Sequence, residues 1–308
     1  MSFAIVFPGQ GSQTIGMLAA LADQYSLVND TFTEASAVLG YDLWDVVQNG
    51  PEEKLNSTDI TQPAMLAAGI ACWRVWQAQG GAMPTVMAGH SLGEYTALTA
   101  AGSLTFSDAI ALVQTRGQLM QAAVPAGEGA MAAILGLADD VVRDVCLAAA
   151  ESDVVEAVNF NSPGQVVIAG SKAAVERALA LAKAAGAKRA LPLPVSVPSH
   201  CALMQAAAEQ LDETLGEISI QSPSIAVINN VDVATESNPE SIRDALVRQL
   251  YQPVRWVESV QKMSSMGVMS MFECGPGKVL VGLNKRIDKQ MTAMAVHDPD
   301  SLLAALSA

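Results

Sequence analysis

Short apolar runs alternate with longer, mostly apolar helical stretches along this chain. Phe3–Phe7 reads as a first strand broken by Pro8-Gly9, and Ala64–Gln79 as a buried helix that stops at Gly80-Gly81. Thr85–Ala88 reads as a second short strand, and Leu92–Ala101 as a helix halted by Gly102. Ser107-Asp108 then caps a helix that runs to about Ala123. Strands apolar throughout, set between apolar helices, predict a parallel sheet covered on both faces.

From about Gly129 to Val195 the rhythm changes. Ala130–Leu135 reads as a strand and Asp139–Ala150 as a helix. Val154–Phe160 and Gln165–Ala169 read as two strands joined by Asn161-Ser162-Pro163-Gly164. Ser171–Ala185 is a helix closed by Gly186, and Arg189–Leu193 a last strand. The order β-α-β-β-α-β is the ferredoxin-like pattern. Pro192, Pro194 and Pro198 mark a return to the main body. The expected organisation is a large α/β domain over residues 1–124 and 197–308, with a smaller ferredoxin-like α+β domain inserted over 125–196.

Composition narrows the classes. The chain has 308 residues, 51% of them hydrophobic, which is ample for a core. No run of eighteen or more apolar residues occurs, so no membrane span is expected. The start, MSFAIVFPGQGSQ, lacks the basic segment of a signal peptide. Cys72, Cys146, Cys201 and Cys274 are scattered without a C-x-x-C pair, which argues against zinc and disulfides and predicts a cytoplasmic protein. A formal charge of −14 disfavours nucleic acid and anionic membranes as partners. An anionic ligand then needs a local cluster of Lys and Arg.

Gly89-His90-Ser91-Leu92-Gly93 fits G-x-S-x-G between an expected strand and an expected helix. In that setting the turn is sharp, the flanking glycines remove Cβ atoms that would collide, and the hydroxyl stands at a helix N-terminus. Ser91 is therefore the candidate nucleophile, and the large domain is expected to be α/β-hydrolase-like. The chain has three histidines to serve as base. His90 precedes the serine, so strand alternation directs its ring away and suits it to a wall of the site. His297 stands beside Asp298 near the C-terminus, in the hydrolase order. His200 lies in Val197-Pro198-Ser199-His200-Cys201, where the small domain rejoins the large one and a cleft is expected. The pattern leaves both His200 and His297 open.

Arg116 shares a helix face with Leu112, Val113, Leu119 and Met120. A guanidinium among apolar neighbours snorkels to solvent, pairs with a structural carboxylate, or clamps a substrate carboxylate. Pro8-Gly9-Gln10-Gly11-Ser12-Gln13 is no nucleotide fingerprint, because the next glycine is Gly16 and no Gly-Lys-Ser/Thr follows. Its N–H groups can still face an oxyanion. Cys201 reads as a small buried residue.

PGQGSQ, GHSLGEY, QTRGQLMQ around Arg116, NFNSPGQ, PVSVPSH, VRQLYQPV and FECGPGKVL occur in this order. Together they resemble the malonyl-CoA:acyl carrier protein transacylase family over nearly the whole chain. The resemblance implies that Ser91 is acylated and that His200 is its base. It implies an oxyanion hole from the N–H groups of Gln10 and Leu92, and Arg116 on the malonyl carboxylate. It also implies that the Gln249 carbonyl orients His200 in place of a triad carboxylate. Ser199 lies where related domains vary with extender unit. Malonyl-CoA and acyl carrier protein are the partners so implied, with no cofactor and no metal. A serine hydrolase or thioesterase using His297 is the competing expectation, and an acyl-carrier scaffold without catalysis a third. A fixed cation beside the acyl pocket speaks against the hydrolase, and the Ser/His/Arg set against the scaffold.

Overall fold

β1 (Phe3–Phe7) is buried along its whole length at the centre of a five-stranded sheet. Its companions are β2 (Val86–Gly89), β7 (Ala226–Ile228), β8 (Ser270–Cys274) and β9 (Thr292–Val296), in the order β7-β2-β1-β8-β9. All pairings are parallel, in a computed structural model that describes residues 2–195 and 197–308. Strand alternation explains why β1 is apolar throughout. Phe3, Ile5 and Phe7 pack among the helices Leu27–Leu39, Thr58–Ala78 and Phe106–Ala122, whereas Ala4 and Val6 pack with Trp256, Val260 and Leu280 on the other face. The chain moves outward from β1 to β2 and β7, then crosses back to β8 and β9. That reversal beside β1 opens a crevice at the strands' C-terminal ends, where Pro8-Gly9-Gln10 and Ser91 emerge.

A second, antiparallel sheet holds β3 (Gly129–Leu135), β4 (Val155–Ser162), β5 (Gln165–Ser171) and β6 (Arg189–Pro192) in the order β4-β5-β3-β6. The helices Asp139–Ala150 and Lys172–Ala184 cover one face through Val142, Cys146, Val175 and Ala178. The opposite face, with Met131, Val158 and Val167, packs on Cys201 and Leu203 beside His200. The backbones of Phe160 and Val158 also bond to Val254 at 3.0 and 2.8 Å, which ties β4 to the large sheet's side of the cleft. The expected return boundary after residue 196 falls on Ser196, outside the described residues.

Two expected elements differ. The helix expected from Ala64 begins at Thr58, with Pro63 inside it, because burial of Thr58 and of residues 60–63 outweighs the local cost of the proline. The cap of the Arg116 helix is Thr105, not Ser107-Asp108. Its Oγ1 accepts from the Asp108 N–H at 3.1 Å and donates to the Asp108 carboxylate at 2.7 Å. Among the described residues no helix is long and apolar enough to cross a membrane.

Candidate active site

Ser91 sits where β2 turns into the helix Leu92–Ala100, at φ 52° and ψ −110°. A non-glycine residue holds such a conformation only when its surroundings enforce it. A Cβ on Gly89 would lie 1.8 Å from the Gly93 carbonyl carbon, and one on Gly93 only 2.1 Å from the Phe7 carbonyl oxygen. Both glycines are therefore required for the helix to pack this close to β1 and β2. Gly93→Ala has to push the elbow away from β1, which costs about 1–3 kcal/mol as overpacking. It should lower the melting temperature by several degrees and displace Ser91, as thermal unfolding and activity assays on the same sample would register. Asn230, in the loop after β7, brackets the turn from outside. Its Oδ1 accepts from the Ser91 N–H and its Nδ2 donates to the Gly89 carbonyl, both at 2.7 Å.

His200 Nε2 is 2.8 Å from Ser91 Oγ, and His200 Nδ1 is 2.7 Å from the Gln249 carbonyl oxygen. A carbonyl only accepts, so Nδ1 carries the proton and Nε2 is free to take one from the hydroxyl. His200 is buried and held at φ 66°, with its own N–H on the Leu250 carbonyl at 2.9 Å. Burial, and then the Arg116 guanidinium, push its pKa down to about 3, against the raising effect of the Gln249 bond. The ring is thus neutral at physiological pH.

Arg116 is 1% exposed. Its Nη1 donates to Gln62 Oε1 at 2.8 Å, and its Nη2 to Gln249 Oε1 at 3.0 Å and to Ser91 Oγ at 3.3 Å. The guanidinium carbon stands 5.2 Å from the Tyr95 ring centroid. Burial lowers the Arg116 pKa, opposed by Tyr95 and Glu94. No carboxylate among the described residues lies within ion-pair distance of it. The expectation of a structural carboxylate partner is therefore not met.

A cleft of about 590 Å³ opens over these groups, lined by Gln10, His90, Leu92, Met131, Leu193 and Ser199 among others. The backbone N–H groups of Gln10 and Leu92 have no hydrogen-bond partner among the described residues. His90 forms part of the wall, with its Nε2 2.8 Å from Asn161 Oδ1 and its ring 5.6 Å from that of Trp256. His297 is not brought to the site. It follows β9, three strand positions or about 14 Å across the sheet from β2, and its Nε2 faces Asp298 at 3.3 Å. Cys201 is buried with its Sγ on the Pro198 carbonyl at 3.1 Å and its thiol pushed up to about 12 by burial. No group of three His, Cys, Asp or Glu side chains among the described residues is placed to hold a metal.

Three residues that the sequence pattern did not single out complete the arrangement: Gln62, Asn230 and Glu94. Asn230 follows an apolar run, AVINN, at a strand end, and Glu94 lies within GHSLGEY. Neither signal says which backbone groups they meet.

The family model described as acyl transferase domain matches residues 4–298. The malonyl CoA-acyl carrier protein transacylase of Escherichia coli K12 is 61% identical, over 99% of this chain and 98% of that protein. The solved acyl carrier protein S-malonyltransferase of Vibrio cholerae O1 is 63% identical with a TM-score of 0.97, covering 99% of each chain. A malonyl-transacylase solved in complex with a type II PKS acyl-carrier protein is 59% identical with a TM-score of 0.99, covering 100% of this chain and 99% of that one. With a family model over almost its full length and relatives this similar, the chain belongs to the acyl transferase family, among the malonyl CoA-acyl carrier protein transacylases.

Proposed function

We propose that this protein moves a malonyl group from malonyl-CoA to the phosphopantetheine thiol of acyl carrier protein through a malonyl-Ser91 ester, supplying fatty-acid synthesis. The observation that carries this reading is a buried guanidinium with no carboxylate partner among the described residues, 3.3 Å from a serine hydroxyl that is itself 2.8 Å from a neutral histidine. An unpaired buried cation is costly, and a substrate carboxylate arriving there offsets that cost. The second carbonyl of a malonyl thioester, two bonds away, then reaches the hydroxyl.

His200 Nε2 takes the proton as Ser91 Oγ attacks the thioester carbon. The Gln10 and Leu92 N–H groups receive the oxyanion, Leu92 with the helix N-terminus behind it. The C–S bond breaks and the CoA thiolate leaves with the proton from His200. The carrier thiol then loses its proton to His200, attacks the ester carbon, and Ser91 departs reprotonated. Gln249 holds the His200 tautomer, and Arg116 grips the malonyl carboxylate throughout. No cofactor enters these steps. We read the large unit, 1–124 and 197–308, as α/β-hydrolase-like around the elbow. The strand order of the second sheet supports the reading of 125–196 as an inserted ferredoxin-like domain. A cytoplasmic location fits the buried, unpaired cysteines.

The test is intact mass after mixing with malonyl-CoA, then with carrier. A malonyl adduct should appear and then discharge to the carrier; hydrolysis to free malonate without carrier would instead support a thioesterase.

The carrier needs a docking face on a chain of net charge −14. Lys188, Arg189, Lys278, Lys285 and Arg286 are exposed, and none has a carboxylate within ion-pair distance among the described residues. Arg286 Nη1 donates to Gln165 Oε1 at 2.6 Å, at the tip of the β4–β5 hairpin whose Asn161 holds His90. Gln165 pairs with Leu135, which pairs with Arg189 on β6. Arg286 and Arg189 so share the hairpin end of the second sheet, and this basic edge suits an acidic carrier. Charge reversal at Arg286 or Lys285 should raise KM for the carrier and flatten its salt dependence, leaving KM for malonyl-CoA in place. An unchanged carrier KM would put the docking face elsewhere.

A further inference from the structure

Glu94 is 2% exposed and none of the steps above uses it. It is the third residue of the elbow helix, where a glutamate ordinarily reaches back to the N-terminal backbone N–H of its own helix. Here that N–H, of Ser91, is taken by Asn230. Glu94 Oε2 instead accepts from the Asn230 backbone N–H at 2.9 Å and from Gln249 Nε2 at 2.7 Å. Each of these partners is already committed to the reacting groups. Asn230 brackets the Ser91 turn. Gln249 gives its carbonyl to His200, its Oε1 to Arg116, and its Nε2 also to the Ser91 carbonyl at 3.1 Å. Among the described residues His200 Nδ1 meets the Gln249 carbonyl and no carboxylate, yet a carboxylate, Glu94, stands on the far side of Gln249.

We propose that Glu94 is the positioning residue of this acyl-transfer site, acting through Gln249 on both His200 and Arg116 and through Asn230 on the Ser91 backbone. The proposal rests on the reading of Ser91 as the acylated group. Its logic is that one buried oxygen fixes donors from two separate segments, the loop after β7 and the end of the helix Pro239–Gln249. Without it, two buried N–H donors lose their acceptor, and the cheapest relief is to turn the Gln249 side chain away from Arg116.

Ionisation of Glu94 tunes this grip, because a charged acceptor holds its donors more strongly than a neutral one. Burial pushes its pKa up to about 7, opposed by the bonds from Gln249 and Asn230 and by Arg116, and reinforced by Asp232. The charged and titratable groups around it are Arg116, Asp232 with its partner Arg248, the neighbouring Tyr95, and Glu236, which lines a small cavity with it. The folded pKa lies above the ordinary 4.5, so the folded protein holds this proton longer than the unfolded chain. Ionised Glu94 therefore costs stability, by an amount that grows from about pH 4.5 to about pH 7 and is full above it.

The experiment measures kcat/KM for malonyl-CoA and acetyl-CoA from about pH 5 to about pH 9, with melting temperature at about pH 8, for wild type, Glu94→Gln and Glu94→Ala. Wild type should show an acid limb with a midpoint near 7, which His200, held at about 3, does not supply. Glu94→Gln keeps an acceptor oxygen without charge. It should lie about three- to tenfold below wild type at high pH and be flat through neutrality, with an equal or higher melting temperature. Glu94→Ala should lose about 100-fold for both thioesters. A folded Glu94→Ala within twofold of wild type would overturn the proposal, and so would a Glu94→Gln profile that keeps the wild-type limb. Should Glu94→Ala not fold, the Glu94→Gln profile decides alone. The malonyl adduct of the wild type, read by mass, tests the acylation reading separately.

Discussion

Ser91→Ala should form no malonyl adduct while melting at close to the wild-type temperature, and His200→Ala should lose transfer by about 10²–10⁴-fold. The two act as one unit, because the 2.8 Å bond from hydroxyl to Nε2 is the route by which the attacking oxygen loses its proton. The double variant should therefore be little worse than either single one. His297→Ala should transfer at the wild-type rate, since that ring faces Asp298 at the far side of the sheet. Stopped-flow acylation with intact-mass endpoints reads all four; a large loss in His297→Ala beside an active His200→Ala would return the site to the hydrolase arrangement. His200 also carries a stability signature. Its folded pKa, about 3, lies below the ordinary 6.5, so the unfolded chain takes up a proton that the folded protein refuses. Its contribution is present above about pH 6.5 and lost as pH falls toward about 3. His200→Gln should flatten the acid side of the stability curve.

The elbow could be read from the chain because its demands are local. Gly89 and Gly93 are needed for a turn closed within five residues, and the apolar run before them can only be a buried strand. The alternation from Gly129 to Arg189 was legible for the same reason, and the helix Asp139–Ala150 matches its expected bounds. What brings His200, and not His297, to Ser91 is not local. Strand order places β9 three positions from β2, and no periodicity in residues 202–308 announces that order. The resemblance named His200, and the structure places its Nε2 2.8 Å from Ser91 Oγ. Asn230, Gln62 and Glu94 escaped because their work is done through bonds to residues 54–155 positions away in sequence. An amide at a strand end, or an amide or carboxylate within a helix, has the same appearance whether it faces water or a nucleophile. Arg116 was visible as an anomaly on an apolar face; that its partners are glutamines and not carboxylates was not.

Arg116→Ala should lower kcat/KM for malonyl-CoA by at least tens-fold while leaving acetyl-CoA unchanged or improved. The guanidinium is buried, so a carboxylate that meets it forms a charge-assisted pair out of competition with water, contributing about 1.5–3 kcal/mol per bond and more when bidentate. Three of its donors' contacts are to Gln62, Gln249 and Ser91 Oγ, all neutral. A malonyl carboxylate can displace the weakest of these, the 3.3 Å contact to the nucleophile, and release the hydroxyl to His200 as it binds. Acetyl-CoA has no carboxylate to offer and leaves the cation unpaired in a closed site, which is a penalty that Arg116→Ala removes. Arg116→Lys should recover only part of the malonyl activity, since one ammonium cannot hold Gln62 and Gln249 on either side and the substrate in the plane between them. The measurement is the ratio of the two specificity constants. If that ratio is the same in wild type and Arg116→Ala, the guanidinium only fills space between the two glutamines, and malonyl selection lies in another part of the cleft.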